Sequence, residues 1–295
     1  MILALDIGGT KTSAALIGPN LKIVEKRSIS TQSPNWAMFA RALRELIGTW
    51  QFDRVAVATT GRIVEGVLQP LNTEMISFWN ALPITDELTK LFSQPVFVVN
   101  DAAAAAWGEF QCMQTSDGPL VHSILYLTIS TGVGSGLIVN DRLVSSANGL
   151  ASHAGHCQHS LPGLGVYHCS CGRTNCIETI ASGTAIAHRA TVACGETLST
   201  IEVFARYYTH SECARVIDQA AHAISDLIVN MNATMGIDRA VLGGGVGLLD
   251  LFRERVRFYM LKNPTVFRAE ITTAALGSDS GLVGVAQLSN KDEAG

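Results

Sequence analysis

A chain of 295 residues, 47% hydrophobic and 16% charged, is long enough to bury one large core or two medium ones without covalent staples. Its 21 Lys and Arg against 25 Asp and Glu leave a net charge of -4 with the basic residues dispersed, which argues against nucleic acid as a partner. An odd total of seven cysteines and the lack of an apolar run of about 18 residues argue against a disulfide-stapled secreted scaffold and against membrane insertion, and predict a reduced, cytoplasmic protein.

In chain order, periodicity predicts strands at Ile2–Ile7 and Ser13–Ile17, a helix at Trp36–Thr49, strands at Val55–Thr59 and Val96–Val99, and a helix at Ala102–Gln111. Strands follow at Ile124–Ile129 and Gly136–Val139, then helices at Ile177–Ala193 and Ser211–Met235. A strand at Ala240–Leu242, a helix at Leu248–Leu261, a strand at Phe267–Ile271 and a helix at Ser280–Leu288 complete the series, and the class is α/β. The stretch LALDIGGTKTSAALI from Leu3 aligns without a gap on LYLTISTGVGSGLIV from Leu125. Both read as apolar strand, Gly/Thr turn, apolar strand, the pattern of a duplicated domain or of two unrelated glycine-turn hairpins. Turns lacking bulky side chains let several backbone N–H groups and hydroxyls point at one anion, so each hairpin is a candidate phosphate clamp.

The first clamp candidate is Asp6, Gly8, Gly9, Thr10 and Lys11. A carboxylate beside a phosphate nest repels the anion unless a divalent cation lies between them, so Asp6 points to Mg²⁺. Lys11 either offsets phosphate charge or faces solvent. At the junction of strand and alanine-rich helix, Asn100 and Asp101 are both natural N-caps, but only one is needed as a cap. The other stands at the carboxyl end of a strand, where α/β sheets place ligands, and an Asp there can take a proton from a hydroxyl attacking a γ-phosphorus.

The spacing Cys169-x-Cys171-x4-Cys176, with His156 thirteen residues before Cys169, supplies three thiolates and one imidazole for a closed tetrahedral zinc site, with His168 as a competing fourth ligand. Cys112, Cys157, Cys194 and Cys213 have no such company and read as small apolar fillers or incidental thiols. The metal loop brings His153, His156 and Glu178 toward one place, a set of fixed donors and acceptors suited to sugar hydroxyls. Gly243, Gly244 and Gly245 form a strand-to-helix turn that lets a flat ring such as adenine approach the backbone.

The ordered series DIGGTK, TTGRI, NDAAAAAWGE, TISTGVGSG, SHAGH, CSCGRTNCIE and VLGGGVG resembles the ROK family of sugar kinases and sugar-responsive repressors over almost the whole chain. The resemblance implies two ribonuclease-H-like lobes of the actin/hexokinase type around a central cleft. Residues 1–114, completed by a helix in 279–295, would form the first lobe, and residues 115–278, with the zinc loop, the second. It implies ATP, Mg²⁺ and a structural Zn²⁺, an amino sugar as the second substrate, and a homodimer. Asp101 is then the general base for the sugar 6-hydroxyl. Gly61, Arg62, Asn72, Asn100, Asp101, His153, His156 and Glu178 contact the sugar, and His156, Cys169, Cys171 and Cys176 hold zinc. Asp6 to Lys11 together with Ser130, Thr131, Gly132 and Gly134 clamp phosphates, with Gly243 to Gly245 beside the nucleotide.

The family's glucose-phosphorylating members carry Glu in Gly-Glu-x-Gly-His, whereas this chain has His153 at that place. The exchange removes an acceptor-only group. In this it resembles bacterial N-acetylmannosamine kinases, implying ATP-dependent 6-phosphorylation of N-acetylmannosamine in sialic acid catabolism. The alternatives are a ROK hexokinase for glucose or N-acetylglucosamine, and a non-catalytic sugar sensor. The repressors' DNA-binding module precedes their first phosphate motif, which here begins at Asp6, so an enzyme is expected.

Overall fold

The computed structural model of the chain describes residues 1–69, 71, 79–115 and 118–291. The chain folds into two compact units. The first comprises Met1–Gly118, Leu143–Ser152 and Ser278–Gly295, and the second Pro119–Arg142 and His153–Gly277. Among the described residues, no helix is long and apolar enough to cross a membrane.

In the first unit, β1 (Ile2–Ile7) turns into β2 (Lys11–Ile17) and β3 (Ile23–Ser30), and helix α1 (Trp36–Ile47) leads to β4 (Arg54–Thr59). A small ribbon, β5 (Arg62–Val64) and β6 (Val67–Gln69), precedes helix α2 (Ile84–Phe92), β7 (Val96–Asn100) and helix α3 (Asp101–Gln114). The main sheet runs β3-β2-β1-β4-β7, with β1, β4 and β7 parallel and β2 and β3 antiparallel.

Strand alternation sorts the two faces of this sheet. Leu3, Leu5 and Ile7 join Phe39, Leu43, Val55, Val57 and Leu88 in one core, and each such side chain contributes roughly 1.5–3 kcal/mol by leaving water. The opposite face presents smaller residues, Ala4, Ala15, Ala56 and Ala58, against Ala104, Leu282 and Val285. Small side chains there let α3 and the C-terminal helix (Ser280–Lys291) lie against the sheet together. The two helices cross on glycine: a Cβ at Gly284 would stand 1.8 Å from the Ala104 carbonyl oxygen, and one at Gly108 would stand 2.6 Å from that of Ser280. Beside this crossing the buried Glu109 carboxylate accepts a hydrogen bond of 2.6 Å from the Ser280 hydroxyl.

The second unit repeats the plan. Strands β8 (Ile124–Ile129), β9 (Val133–Val139) and β10 (Arg142–Leu143) are followed by helices α4 (Ile177–Ala181), α5 (Gly183–Cys194), α6 (Thr200–Ala205) and α7 (Ser211–Met235). Then come β11 (Arg239–Gly243), the one-turn helix α8 (Gly244–Gly247), α9 (Asp250–Met260) and β12 (Glu270–Thr273). The sheet order is β10-β9-β8-β11-β12, with β8, β11 and β12 parallel. Matched position by position with the first sheet, it pairs hairpin β1–β2 with hairpin β8–β9, so the sequence echo has a topological counterpart. Val216, Ile217, Ala220, Ile224, Leu227 and Ile228 form the buried stripe of α7, which packs on α4, α5 and α9.

Three expectations change. The helix expected over Ile177–Ala193 is two helices, because Ser182 leaves the helical conformation and its Oγ accepts from the Ala185 N–H to cap α5. The strand expected at Phe267–Ile271 begins at Glu270, after a turn of 3₁₀ helix at Thr265–Phe267. Leu143–Ser152, placed by the sequence in the second lobe, belongs to the first unit. There Arg62 donates to the Asn148 carbonyl at 3.2 Å, and Gly149 lies so near β5 that a Cβ would stand 2.6 Å from the Ile63 oxygen.

Candidate active site

In the first unit the β1–β2 turn is closed by a hydrogen bond of 3.1 Å from the Gly8 N–H to the Lys11 carbonyl, and a Cβ at Gly8 would crowd that oxygen at 3.2 Å. The turn is braced from the side. Thr31 donates its N–H to the Thr10 carbonyl at 3.0 Å, and the Gln32 amide donates to the Gly9 carbonyl at 2.9 Å. Lys11 is exposed, yet near enough to act on the charge of Asp6.

Asp6 ends β1 beside the start of the C-terminal helix, where a Cβ at Gly281 would stand 3.2 Å from Asp6 Oδ2. Burial, reinforced by repulsion from Asp101, pushes the Asp6 carboxyl up to about 7, while Lys26 and Lys11 pull in the opposite direction. Asp6 and Asp101 therefore share one electrostatic environment inside this unit. Two carboxyl groups so placed suit a divalent cation better than a lone anion.

Asn100 settles which junction residue is the cap. Its Oδ1 accepts from the N–H groups of Ala102 and Ala103 at 3.0 and 3.1 Å, and its Nδ2 donates to the Gly61 carbonyl at 3.0 Å. That last bond ties the left-handed Gly61 (φ 96°) to the β7–α3 junction. Asp101 is thereby released from N-capping, although its Oδ1 accepts from its neighbour Ala102 at 2.8 Å. Asn72, predicted as a further sugar contact, lies outside the described residues.

In the second unit the β8–β9 turn holds Ser130, Thr131 and Gly132, with the Ser130 N–H donating to the Gly132 carbonyl at 2.9 Å. Gly134 lies just beyond, paired with Thr128 in the ladder. Glu178, in the first turn of α4, reaches this hairpin: its Oε2 accepts from the Val133 N–H at 3.0 Å, and a Cβ at Gly132 would stand 2.6 Å from it. A side chain at Gly132 would therefore have to displace the Glu178 carboxylate from the Val133 N–H. The His153–His156 segment is pinned to the same hairpin, since Ala154 donates to Ser135 Oγ at 2.8 Å and a Cβ at Gly155 would run into the Val133 carbonyl. Burial holds His156 below the ordinary histidine value, with Glu178 opposing and His153 and Arg173 adding to the shift. His153, His156 and Glu178 therefore gather as the sequence implied.

The thiols of the loop converge too. His156 Nδ1 lies 3.6 Å from Cys169 Sγ, Cys171 Sγ lies 3.7 Å from Cys176 Sγ, and all four donor atoms fall within 4.8 Å of one another. A tetrahedron with Zn–S of about 2.3 Å and Zn–N of about 2.1 Å has edges of about 3.8 and 3.6 Å, so this donor set fits zinc. His168, the competing ligand, is not among these four donors, and its backbone pairs with that of Thr174 within the loop. Gly172 (φ 85°) makes the tight turn between the thiols, and the Cys169 N–H donates to the Arg173 carbonyl at 2.8 Å.

At the β11–α8 turn two of the three glycines are fixed by packing. A Cβ at Gly243 would stand 2.7 Å from the Tyr126 hydroxyl, and one at Gly244 (φ 78°) 2.5 Å from the Ile129 carbonyl. A Cβ at Gly245 would meet nothing within 4 Å beyond its chain neighbours and its own helix backbone, so this residue leaves an open face where a flat ring can lie.

A profile of the ROK family matches residues 2–292. The chain belongs to the ROK family. Among ROK relatives, the N-acetylmannosamine kinase of Vibrio cholerae is 33% identical over 287 residues, covering 96% of this chain and 97% of that one. The N-acetylmannosamine kinase of Citrobacter koseri is 35% identical over 295 residues, covering 99% of each chain. Among solved structures, the ROK hexokinase from Thermus thermophilus superposes with a TM-score of 0.83 at 28% identity and 99% coverage of both chains. The two repeated sheets described above are thus the actin/hexokinase-like fold of ROK sugar kinases.

Sequence reasoning missed one cluster in this unit. Cys194 and Cys213, read as small apolar fillers or incidental thiols, lie together with His210.

Proposed function

We propose that this chain is an ATP-dependent kinase that phosphorylates N-acetyl-D-mannosamine at the 6-hydroxyl. The observation that carries this reading is the full-length likeness to enzymes named N-acetylmannosamine kinases. His153, standing where glucose-phosphorylating ROK members carry Glu, supports the same substrate. A histidine ring can donate to or accept from an acyl group, whereas a carboxylate only accepts.

Asp101 accepts the proton of the sugar 6-hydroxyl as that oxygen attacks the γ-phosphorus of ATP and ADP departs. The proton then passes from Asp101 to solvent. Asn100, held at both ends of its amide, fixes the β7–α3 junction and with it the backbone position of the base. Gly61, Arg62, Asn72, Asn100, His153, His156 and Glu178 contact sugar hydroxyls. Thr10 and Lys11 with the Gly8–Gly9 turn, and Ser130 and Thr131 with Gly132 and Gly134, serve the phosphates, while Gly243, Gly244 and Gly245 serve adenosine.

Asp6 would hold Mg²⁺, which when bound offsets the charge on the transferring phosphates. His156, Cys169, Cys171 and Cys176 would hold zinc, which supplies a closed structural crosslink to the loop carrying His153. The family resemblance supports a cytoplasmic homodimer placed in sialic acid catabolism.

The position of the phosphate tests the reading. Phosphorus and proton NMR of the product made from ATP, Mg²⁺ and N-acetylmannosamine should show one phosphate coupled to the C6 protons. A phosphate elsewhere on the ring, or ADP released without a sugar phosphate, would contradict it.

A further inference from the structure

Cys194 is the last residue of α5, His210 immediately precedes α7, and Cys213 lies in the first turn of α7. Sixteen positions separate the first two in sequence, and the packing of α5 against α7 brings them together. Cys194 Sγ lies 3.8 Å from His210 Nδ1 and 4.0 Å from Cys213 Sγ, and the three donor atoms all fall within 4.8 Å of one another.

Several local features hold these donors in place. Cys213 is fully buried, whereas Cys194 and His210 are half-buried, so the cluster is open on one side. Gly195 (φ 70°) terminates α5 with its N–H on the Thr191 carbonyl, which fixes Cys194 on the final turn. The His210 N–H donates to the Arg206 carbonyl at 2.9 Å, yet its ring makes no capping bond to α7 and lies against the Cys194 thiol instead. Arg206 is paired with Glu196 at 2.5 Å, so an ion pair stands on the loop between the two helices.

We propose that Cys194, His210 and Cys213 form a second site for a thiophilic divalent cation, zinc, distinct from the Cys169 cluster. Two thiolates and one imidazole are a soft donor set, and they neutralise a divalent ion. The Cys194–His210 and Cys194–Cys213 spacings exceed the corresponding edges of a zinc tetrahedron, about 3.6 and 3.8 Å, by a few tenths of an ångström, so small side-chain adjustments close them. A disulfide between the two cysteines would need the sulfurs to approach to about 2.05 Å, a much larger movement. Three protein donors leave the fourth tetrahedral position to water, on the open side. The ion would pin the end of α5 to the start of α7 and close the intervening segment, which contains α6. With one protein ligand fewer, this site should release its ion to a chelator before the Cys169 cluster does.

The test is zinc stoichiometry on the full-length reduced protein, by plasma mass spectrometry after desalting. Wild type should carry about one zinc more per chain than the double variant Cys194→Ser/Cys213→Ser, whatever the occupancy of the Cys169 cluster. A Cys169→Ser/Cys171→Ser variant should retain the zinc that the first variant loses, which separates this proposal from the reading of the Cys169 cluster. Because the double variant could fold poorly, alkylation is followed on wild type as well. Added zinc should slow modification of Cys194, mapped by peptide, relative to chelated protein. Equal zinc content in wild type and the double variant, with Cys194 alkylated at one rate in both conditions, overturns the proposal. So does a Cys194–Cys213 disulfide that persists in zinc-loaded protein.

Discussion

Asp101→Asn is expected to lower kcat/KM for sugar phosphorylation by about 10²–10⁴, the range general-base catalysis contributes. The loss should fall on kcat, with sugar and ATP affinities close to wild type, because the amide keeps the shape of the side chain and removes only its ability to take a proton. The fold should tolerate the change. The bond that caps α3 belongs to Asn100, and an amide oxygen at position 101 can still accept from the Ala102 N–H as Asp101 Oδ1 does at 2.8 Å. Steady-state kinetics beside calorimetric sugar binding separates the two effects. Retained kcat, or a loss that lies wholly in sugar affinity, would remove Asp101 from the role of base.

Asp6→Asn carries the second large effect, and it has two signatures. Turnover with ATP and Mg²⁺ should fall by orders of magnitude, because the side chain that would hold the cation loses its charge. Stability of the ligand-free protein should change in the opposite direction. Burial and repulsion from Asp101 raise the Asp6 carboxyl from 3.8 to about 7, so between those values the native state binds more protons than the unfolded chain. Wild-type stability from this group is therefore greatest below about pH 4 and is lost as pH rises through about 7. At about 1.4 kcal/mol per unit, a shift of this size corresponds to on the order of 4 kcal/mol at pH 8. The variant, which has no such titration, should melt close to wild type near pH 4 and several degrees above it at pH 8. A constant difference in melting temperature across that range would contradict the assigned cause.

What could be read from the sequence was set by how local each signal is. The Cys169–Cys176 site was legible because three of its ligands lie within eight residues and the fourth is thirteen residues upstream. The hairpin β8–β9 and its echo β1–β2 were legible because apolar strands flank a Gly/Thr turn in both. Edge strand β3 was not, since its sequence IVEKRSIS is mostly exposed and carries little apolar alternation. Helix α2, which follows Pro83 and has no side-chain cap, was missed as well. The role of Glu178 in holding Val133 and lying over Gly132 depends on α4 docking against the β8–β9 turn, 45 residues earlier in the chain. The meeting of Cys194, His210 and Cys213 depends likewise on α5 packing against α7. Spacing announces neither contact, and only the folded chain brings those residues together.

The central claim is the identity of the sugar, and one coupled assay addresses it most directly: kcat/KM with saturating ATP and Mg²⁺ for N-acetylmannosamine, N-acetylglucosamine and glucose on the same preparation. The account predicts that N-acetylmannosamine is preferred by at least about tenfold over each of the others, the discrimination expected when a site's polar groups pair with one substrate and stay unpaired with its competitors. A preference for glucose or N-acetylglucosamine would show that His153 does not set the specificity and would make the chain a ROK hexokinase. No turnover on any of the three would contradict the assignment as a kinase for these sugars.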